Sequence, residues 1–472
     1  MKTIGRSLFR RQVQTLAAAA CLAVFLSSCG AARPSSAPVS SAPPPSSAAP
    51  RPAASSGAGA VSSAAGGGSA ERRTEPLTEA EAAADMNELI GYIKGAHPIY
   101  ENPGSAACKK TDAAEAEFRK SVEAIDRTVS MDDFGAWCHE YLASIADLHT
   151  DIIGDRSFSD VWQDRRFIPT SSASWWWNGG RLYLLDENKR LSKRYVTEIG
   201  DVPVAKITKT IGRLYDAEND VGTAYNNAYY SHFAAILARS GVRTDGPVTL
   251  TVEGPGGTEK MRSELKSPSP YAPGNSDVAG YYRKGDCFYL DMNQFDYSDA
   301  LNQATGALNQ AVYEGTRKVV WDLRGNPGGN ADVADYIFTA MKMTPPHAGF
   351  RSRKSELMPQ KAENPADLDA VPNPKVKLVV LIDEFSDSAS TVTAARVQDG
   401  KLGIVMGRAT RQAPDMYGGP VKRTLKNSSF MVQIATVSVT RPDRKANRKE
   451  LVPDVVVPFG EDELQAAFDY LK

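Results

Sequence analysis

Two stretches of this chain repeat one design, and together they restrict its fold more than any other feature. Leu378–Asp399 opens with LVVLI, a β-branched apolar run of the kind that forms a strand buried on both faces. A polar turn, DEFSDSAS, follows, and STVTAARVQD carries the first turns of a helix. Lys318–Met343 does the same. VVWDL is the strand, RGNPGGN a glycine-rich turn, and Val333, Ile337, Phe338 and Met341 the apolar face of a helix. Two strand–loop–helix units predict a parallel α/β core with both loops at the carboxyl ends of the strands. Ligands bind at that end of such sheets.

The loops carry candidate chemistry. A serine on a tight turn before a helix is lifted clear of the sheet, and the free N–H groups of the helix start face any oxyanion that develops beside it. Ser388, followed by the small Ala389, sits at that point. Helix capping accounts for the same residues, since Ser386, Asp387, Ser388 and Ser390 are all good caps. Gly325, Gly328 and Gly329 allow positive φ and close backbone approach, or simply a tight turn.

The pair DLRGNPGG and FSDSAS resembles the core signature of the C-terminal processing (tail-specific) serine protease family, related to the tricorn-type proteases. The family pattern is a D-x-R-x-N-x-G-G loop followed, some tens of residues on, by S-x-S-A-S. The resemblance implies a crotonase-like α/β catalytic core, with Ser388 as nucleophile and an oxyanion hole from the N–H of Ala389 and of Gly328 or Gly329. ADLHTDIIG resembles the family's D-G-H-T segment, with Leu148 where glycine is usual. Many members use a lysine base, but the position aligned on Gly407–Thr410 is Ala413. In relatives without that lysine a histidine from the N-terminal side can serve, which makes His149 the candidate base. Imidazole titrates near neutral pH and can take a serine proton. Arg408 and Arg411 cannot substitute, because guanidinium keeps its proton. A tricorn-like glutamate is not evident, and Glu450 is only close to the late Pro453-Asp454 stretch.

The remaining chain supplies context. Residues 1–29 form a targeting segment: Lys2, Arg6, Arg10 and Arg11 precede LAAAACLAVFL, too short for a spanning helix. Leu26-Ser27-Ser28-Cys29 resembles a bacterial lipobox, which implies lipid on Cys29 and a membrane-anchored, extracytoplasmic protein. Residues 30–75, rich in Ser, Ala, Pro and Gly, cannot bury a core and suit a disordered tether. Residues 76–154 are helical by apolar spacing, with Ser130 capping the last helix and His97 structural at a helix exit. Residues 155–275 are mixed α+β. SASWWWNGGRLYLLDEN reads as a hairpin, and RYVTEIGDVPVAKITKTIGRLY resembles part of a PDZ-like module. Residues 276–472 are the catalytic core, with SFMVQIATVSVT a late strand and GEDELQAAFDYLK a terminal helix. Export permits a Cys108–Cys138 disulfide, while buried free thiols fit as well.

A net charge of −1 points to no nucleic-acid partner. No H-E-x-x-H or C-x-x-C spacing is present, so neither metal nor cofactor is expected. Three functions follow. One is a membrane-anchored serine endopeptidase acting on exported or cell-envelope proteins. The second is a catalytically inactive relative that binds extended peptides. The third is a crotonase-like fold that cleaves a non-peptide ester.

Overall fold

The computed structural model describes residues 73–153, 161–268, 278–352, 354–356 and 361–472. The leader over 1–29, Cys29 and nearly all of the tether lie outside the described residues. Three helices open the described chain: α1 (Glu79–Ala96), α2 (Ala106–Glu123) and α3 (Met131–Ala143). Thr78 and Glu81 form a reciprocal capping box on α1. Ser130 caps α3 by accepting the Asp133 N–H at 3.1 Å. Their apolar stripes meet in one core, where Leu89 and Ile93 join Phe118, Phe134 and Tyr141. Cys108 and Cys138 are separate buried thiols, so the disulfide between them is not formed. Cys138 packs into the helical core, whereas the Cys108 thiol turns to Asp112, 3.9 Å away.

Loop 144–150 leads from α3 into a short strand, β1 (Asp151–Ile153). The middle region begins with β2 (Trp175–Asn178), β3 (Arg181–Leu185) and β4 (Leu191–Ile199). The β2–β3 hairpin turns on Gly179 and Gly180, both at positive φ, as a two-residue hairpin of this twist requires. Helices α4 (Val204–Leu214), α5 (Asp220–Tyr230) and α6 (Ala234–Arg239) follow. Strands β5 (Val248–Gly254) and β6 (Gly257–Ser263) complete an antiparallel sheet in the order β2-β3-β4-β5-β6.

The core region runs β7 (Ala279–Lys284), β8 (Cys287–Met292), α7 (Asp299–Tyr313), β9 (Lys318–Asp322), α8 (Val333–Ala340), β10 (Lys377–Ile382), α9 (Ala389–Asp399) and β11 (Ile404–Gly407). Then come β12 (Val421–Thr424), β13 (Met431–Ile434), β14 (Val455–Val456) and α10 (Glu463–Tyr470). One six-stranded sheet has the order β7-β8-β9-β10-β11-β14, parallel except for β7 against β8. Side chains alternate between its faces. Phe288, Leu290, Trp321, Val380 and Ile382 meet helices α7, α8 and α9. Tyr289, Val320, Val379, Leu381 and Met406 meet α10 through Ala467, Phe468 and Leu471. Both faces are dry, which is why LVVLI and VVW are continuous apolar runs rather than alternating ones.

The stretch SFMVQIATVSVT departs from the single late strand expected of it. β13 pairs with β12 and β1, while Val437–Thr440 joins a different small sheet. The break has a local cause: the Ala435 N–H turns aside to Thr150 Oγ1 at 2.9 Å, and the Thr436 N–H to the Gly418 carbonyl. Packing therefore crosses from the N-terminal helices into residues 421–434, whose Leu425, Phe430 and Val432 share the helical core.

Candidate active site

The two glycine- and serine-bearing loops are knitted into one surface at the carboxyl ends of β9 and β10. Asp383 Oδ1 accepts the N–H groups of Gly325 and Phe385 at 2.9 and 3.0 Å. Ser386 Oγ donates to the Leu323 carbonyl at 2.7 Å, and Ser390 Oγ to the Asn326 carbonyl at 2.9 Å. Fully buried Asn326 donates through Nδ2 to the Met292 carbonyl and accepts the Gly328 N–H at 2.8 Å. These bonds engage the serines on either side of Ser388 in structure. Ser388 itself precedes α9 with φ 55° and ψ −116° and makes no capping hydrogen bond, so capping does not account for it. A non-glycine residue held at this φ is strained by about 1–3 kcal/mol. The geometry matches that of a nucleophile on a sharp strand-to-helix turn.

Gly328 presses against this turn. A β-carbon on it would stand 2.6 Å from Ser388 Cβ and 2.8 Å from the Ala389 nitrogen. Of the two candidate glycines, the Gly328 N–H is already given to Asn326. Among the described residues neither the Gly329 nor the Ala389 N–H has an acceptor.

His149 arrives from the loop between α3 and β1, with Nε2 3.1 Å from Ser388 Oγ. Its backbone is pinned on both sides. Its N–H donates to Asp147 Oδ1 at 3.0 Å, and its carbonyl accepts from Gln433 Nε2 at 3.2 Å. Asp147 is buried, and its Oδ1 also lies 4.0 Å from His149 Nδ1. His97, placed at a helix exit as expected, accepts the Ile99 N–H on Nδ1 and so donates through Nε2 to Asp147 Oδ2 at 3.1 Å. Burial disfavours the Asp147 charge, but the hydrogen bond and charge of His97, with His149 behind them, hold it below the usual carboxylate range.

Ala413 contributes only its backbone, donating its N–H to Glu218 Oε2 at 2.8 Å. The neighbouring Gln412 enters the site instead. Its Oε1 accepts the Ser388 N–H, and its Nε2 lies 3.1 Å from His149 Nδ1. Glu218, just before α5, also accepts the Leu148 N–H at 3.0 Å, and burial followed by the charge of Asp147 pushes it up to about 8. Arg411 is paired with Asp387 at 2.6 Å, with its guanidinium 4.1 Å from the Tyr225 ring centre. Asp147, Gln412 and Glu218 were not singled out by sequence reasoning. Asp147 carried a signal, an acid two residues before the candidate base; Gln412 and Glu218 carried none. Glu450 donates its backbone N–H to Asn447 Oδ1 at 3.2 Å. Among the described residues no cluster of His, Cys, Asp and Glu could hold a metal ion.

A half-buried serine on a strained turn, a histidine in hydrogen-bond reach and, beside them, N–H groups without an acceptor among the described residues fit a serine hydrolase built on a parallel α/β core. Residues 286–457 match the model of peptidase family S41. Over that region the chain is similar to peptidase family S41, and the match supports a serine-type peptidase that acts on proteins or peptides. The matched region holds Ser388 and the glycine loop, while His149 lies outside it. No curated protein matches the chain's sequence. In structure it is similar to mature CPAF, with TM-score 0.58 and 11% identity over 83% of this chain and 95% of that one. CPAF complexed with lactacystin gives TM-score 0.58 and 12% identity over 83% and 97%. The photosystem II D1 C-terminal processing protease is a looser likeness, with TM-score 0.43 and 11% identity over 80% and 93%.

Proposed function

We propose that this peptidase is an endopeptidase of exported or cell-envelope proteins, held at the outer side of a bacterial membrane by lipid on Cys29. Ser388 Oγ attacks the scissile carbonyl as His149 Nε2 takes its proton, and the proton then passes to the leaving amine. The tetrahedral oxyanion lies against the N–H groups of Ala389 and Gly329. The observation that carries this reading is the 3.1 Å approach of His149 Nε2 to Ser388 Oγ across 239 residues of chain. It gives the serine a base although the lysine position is Ala413. The anchoring rests on the basic leader, its short apolar stretch and the Leu26–Cys29 motif.

The test is cleavage of an unfolded protein by the full chain. Ser388→Ala and His149→Ala should each lower the rate by at least about 10³ with the thermal transition retained. Cleavage that persists in both variants would reject the assignment. Metabolic incorporation of a fatty acid, lost in Cys29→Ser, tests the anchor. Incorporation that survives this change would reject it.

A further inference from the structure

The environment of His149 fixes which of its nitrogens carries the proton. The Ser388 N–H can only donate, so the Gln412 atom facing it is the carbonyl oxygen. That orientation leaves Gln412 Nε2 toward the ring, 3.1 Å from His149 Nδ1. An amide nitrogen donates and does not accept, so Nδ1 is the bare nitrogen and the proton of the neutral ring sits on Nε2, beside Ser388 Oγ. In this tautomer the ring donates to the serine and cannot take its proton. The group that would favour a proton on Nδ1 is Asp147, but its Oδ1 stands 4.0 Å off and already holds the His149 backbone N–H. The other charged and titratable groups around this arrangement are His97 on Asp147, Glu218 at 3.4 Å from Gln412 Nε2, and the Arg411–Asp387 pair on the flanking loop residues.

We propose that Gln412 is a positioning residue that holds His149 in a resting tautomer, with the proton on Nε2, and that catalysis requires this contact to be released so that Nδ1–H can face Asp147. The change is an exchange with solvent. One proton leaves Nε2 for water as another is taken from water at Nδ1, so the ring stays neutral until Ser388 gives up its own. The proposal rests on Ser388 and His149 being nucleophile and base.

The test reads the tautomer directly. In the full chain labelled with ¹⁵N at histidine, the His149 resonances are those lost in His149→Asn. The wild type should show its bare nitrogen at Nδ1. Gln412→Leu, which removes the donor, should move the proton toward Nδ1 and speed fluorophosphonate labelling of Ser388 by roughly tenfold, the worth of one neutral hydrogen bond. Gln412→Glu provides a second variant of the same shape, whose carboxylate accepts from both Ser388 N–H and His149 Nδ1–H. It should also place the proton on Nδ1. A wild type with its proton on Nδ1, or a tautomer unchanged in both variants, would overturn the proposal while labelled Ser388 leaves the peptidase reading standing. Ser388 unlabelled in all three proteins would overturn that reading, and the proposal with it.

Discussion

Ser388 is the residue at which backbone energy and chemistry meet. Its φ of 55° is imposed by Asp387 on one side, bonded to the Asn326 carbonyl, and by α9 on the other. Glycine tolerates this φ without a β-carbon penalty. Ser388→Gly should therefore raise stability by about 1 kcal/mol after the extra freedom of the unfolded chain is subtracted. The transition should rise by about 1 °C, the shift that ~1 kcal/mol makes in a chain of this size, while reaction with fluorophosphonate is lost. Ser388→Ala, which keeps the strain, should lose reactivity without that rise, and an equal rise in both would remove strain as the explanation. At this scale the sequence was informative where function is local. Ser388, Ala389 and the glycines lie in contiguous motifs, and His149 lies in one as well. Its hydrogen bond to Ser388 was not legible, because it depends on how loop 144–150 docks. Gln412 was hidden for a related reason. Only the docking of two loops brings its amide, rather than the backbone of Ala413, to the imidazole.

At the scale of elements, the periodicities told strand from helix wherever a segment buries one kind of face. The parallel core, the β2–β3 hairpin and the terminal helix were legible for that reason. SFMVQIATVSVT was not, because each half is a good strand. What separates them is two consecutive N–H groups turned away, Ala435 to Thr150 and Thr436 to the Gly418 carbonyl, both long-range contacts. That break matters to the site, since Thr150 is the residue after His149. The closeness of the glycine loop and the Ser388 loop is the other property of elements that no periodicity encodes. Gly328→Ala should reduce turnover by about 10² or more, because the new methyl would meet Ser388 Cβ and the Ala389 nitrogen. Turnover within threefold of wild type would mean that the two loops can part without loss.

At the scale of the whole molecule, burial raises the pKa of three carboxyls, Asp291, Asp383 and Glu218. Burial, with the charge of Asp322, pushes Asp291 up to about 7, against the opposing Arg324. Burial and Glu384 push Asp383 up to about 7, and Glu218 reaches about 8. Each of these carboxyls binds its proton more tightly folded than unfolded, so its stabilisation is full below the ordinary carboxylate range and is lost as pH rises through 7 to 8. His232, pushed down to about 4 by burial, acts oppositely but only below about pH 6.5. The melting temperature should therefore fall between pH 6.5 and 8, and Asp291→Asn should flatten the fall. A rise over that interval, or an unchanged slope in the variant, would contradict this balance. The central claim is that residues brought together from 239 positions apart form one activated serine. It is tested most directly by the intact mass of the full chain after exposure to a fluorophosphonate, beside Ser388→Ala and His149→Ala. The account predicts one adduct, on Ser388, in the wild type and none in either variant; an adduct that survives in His149→Ala at the wild-type rate would contradict it.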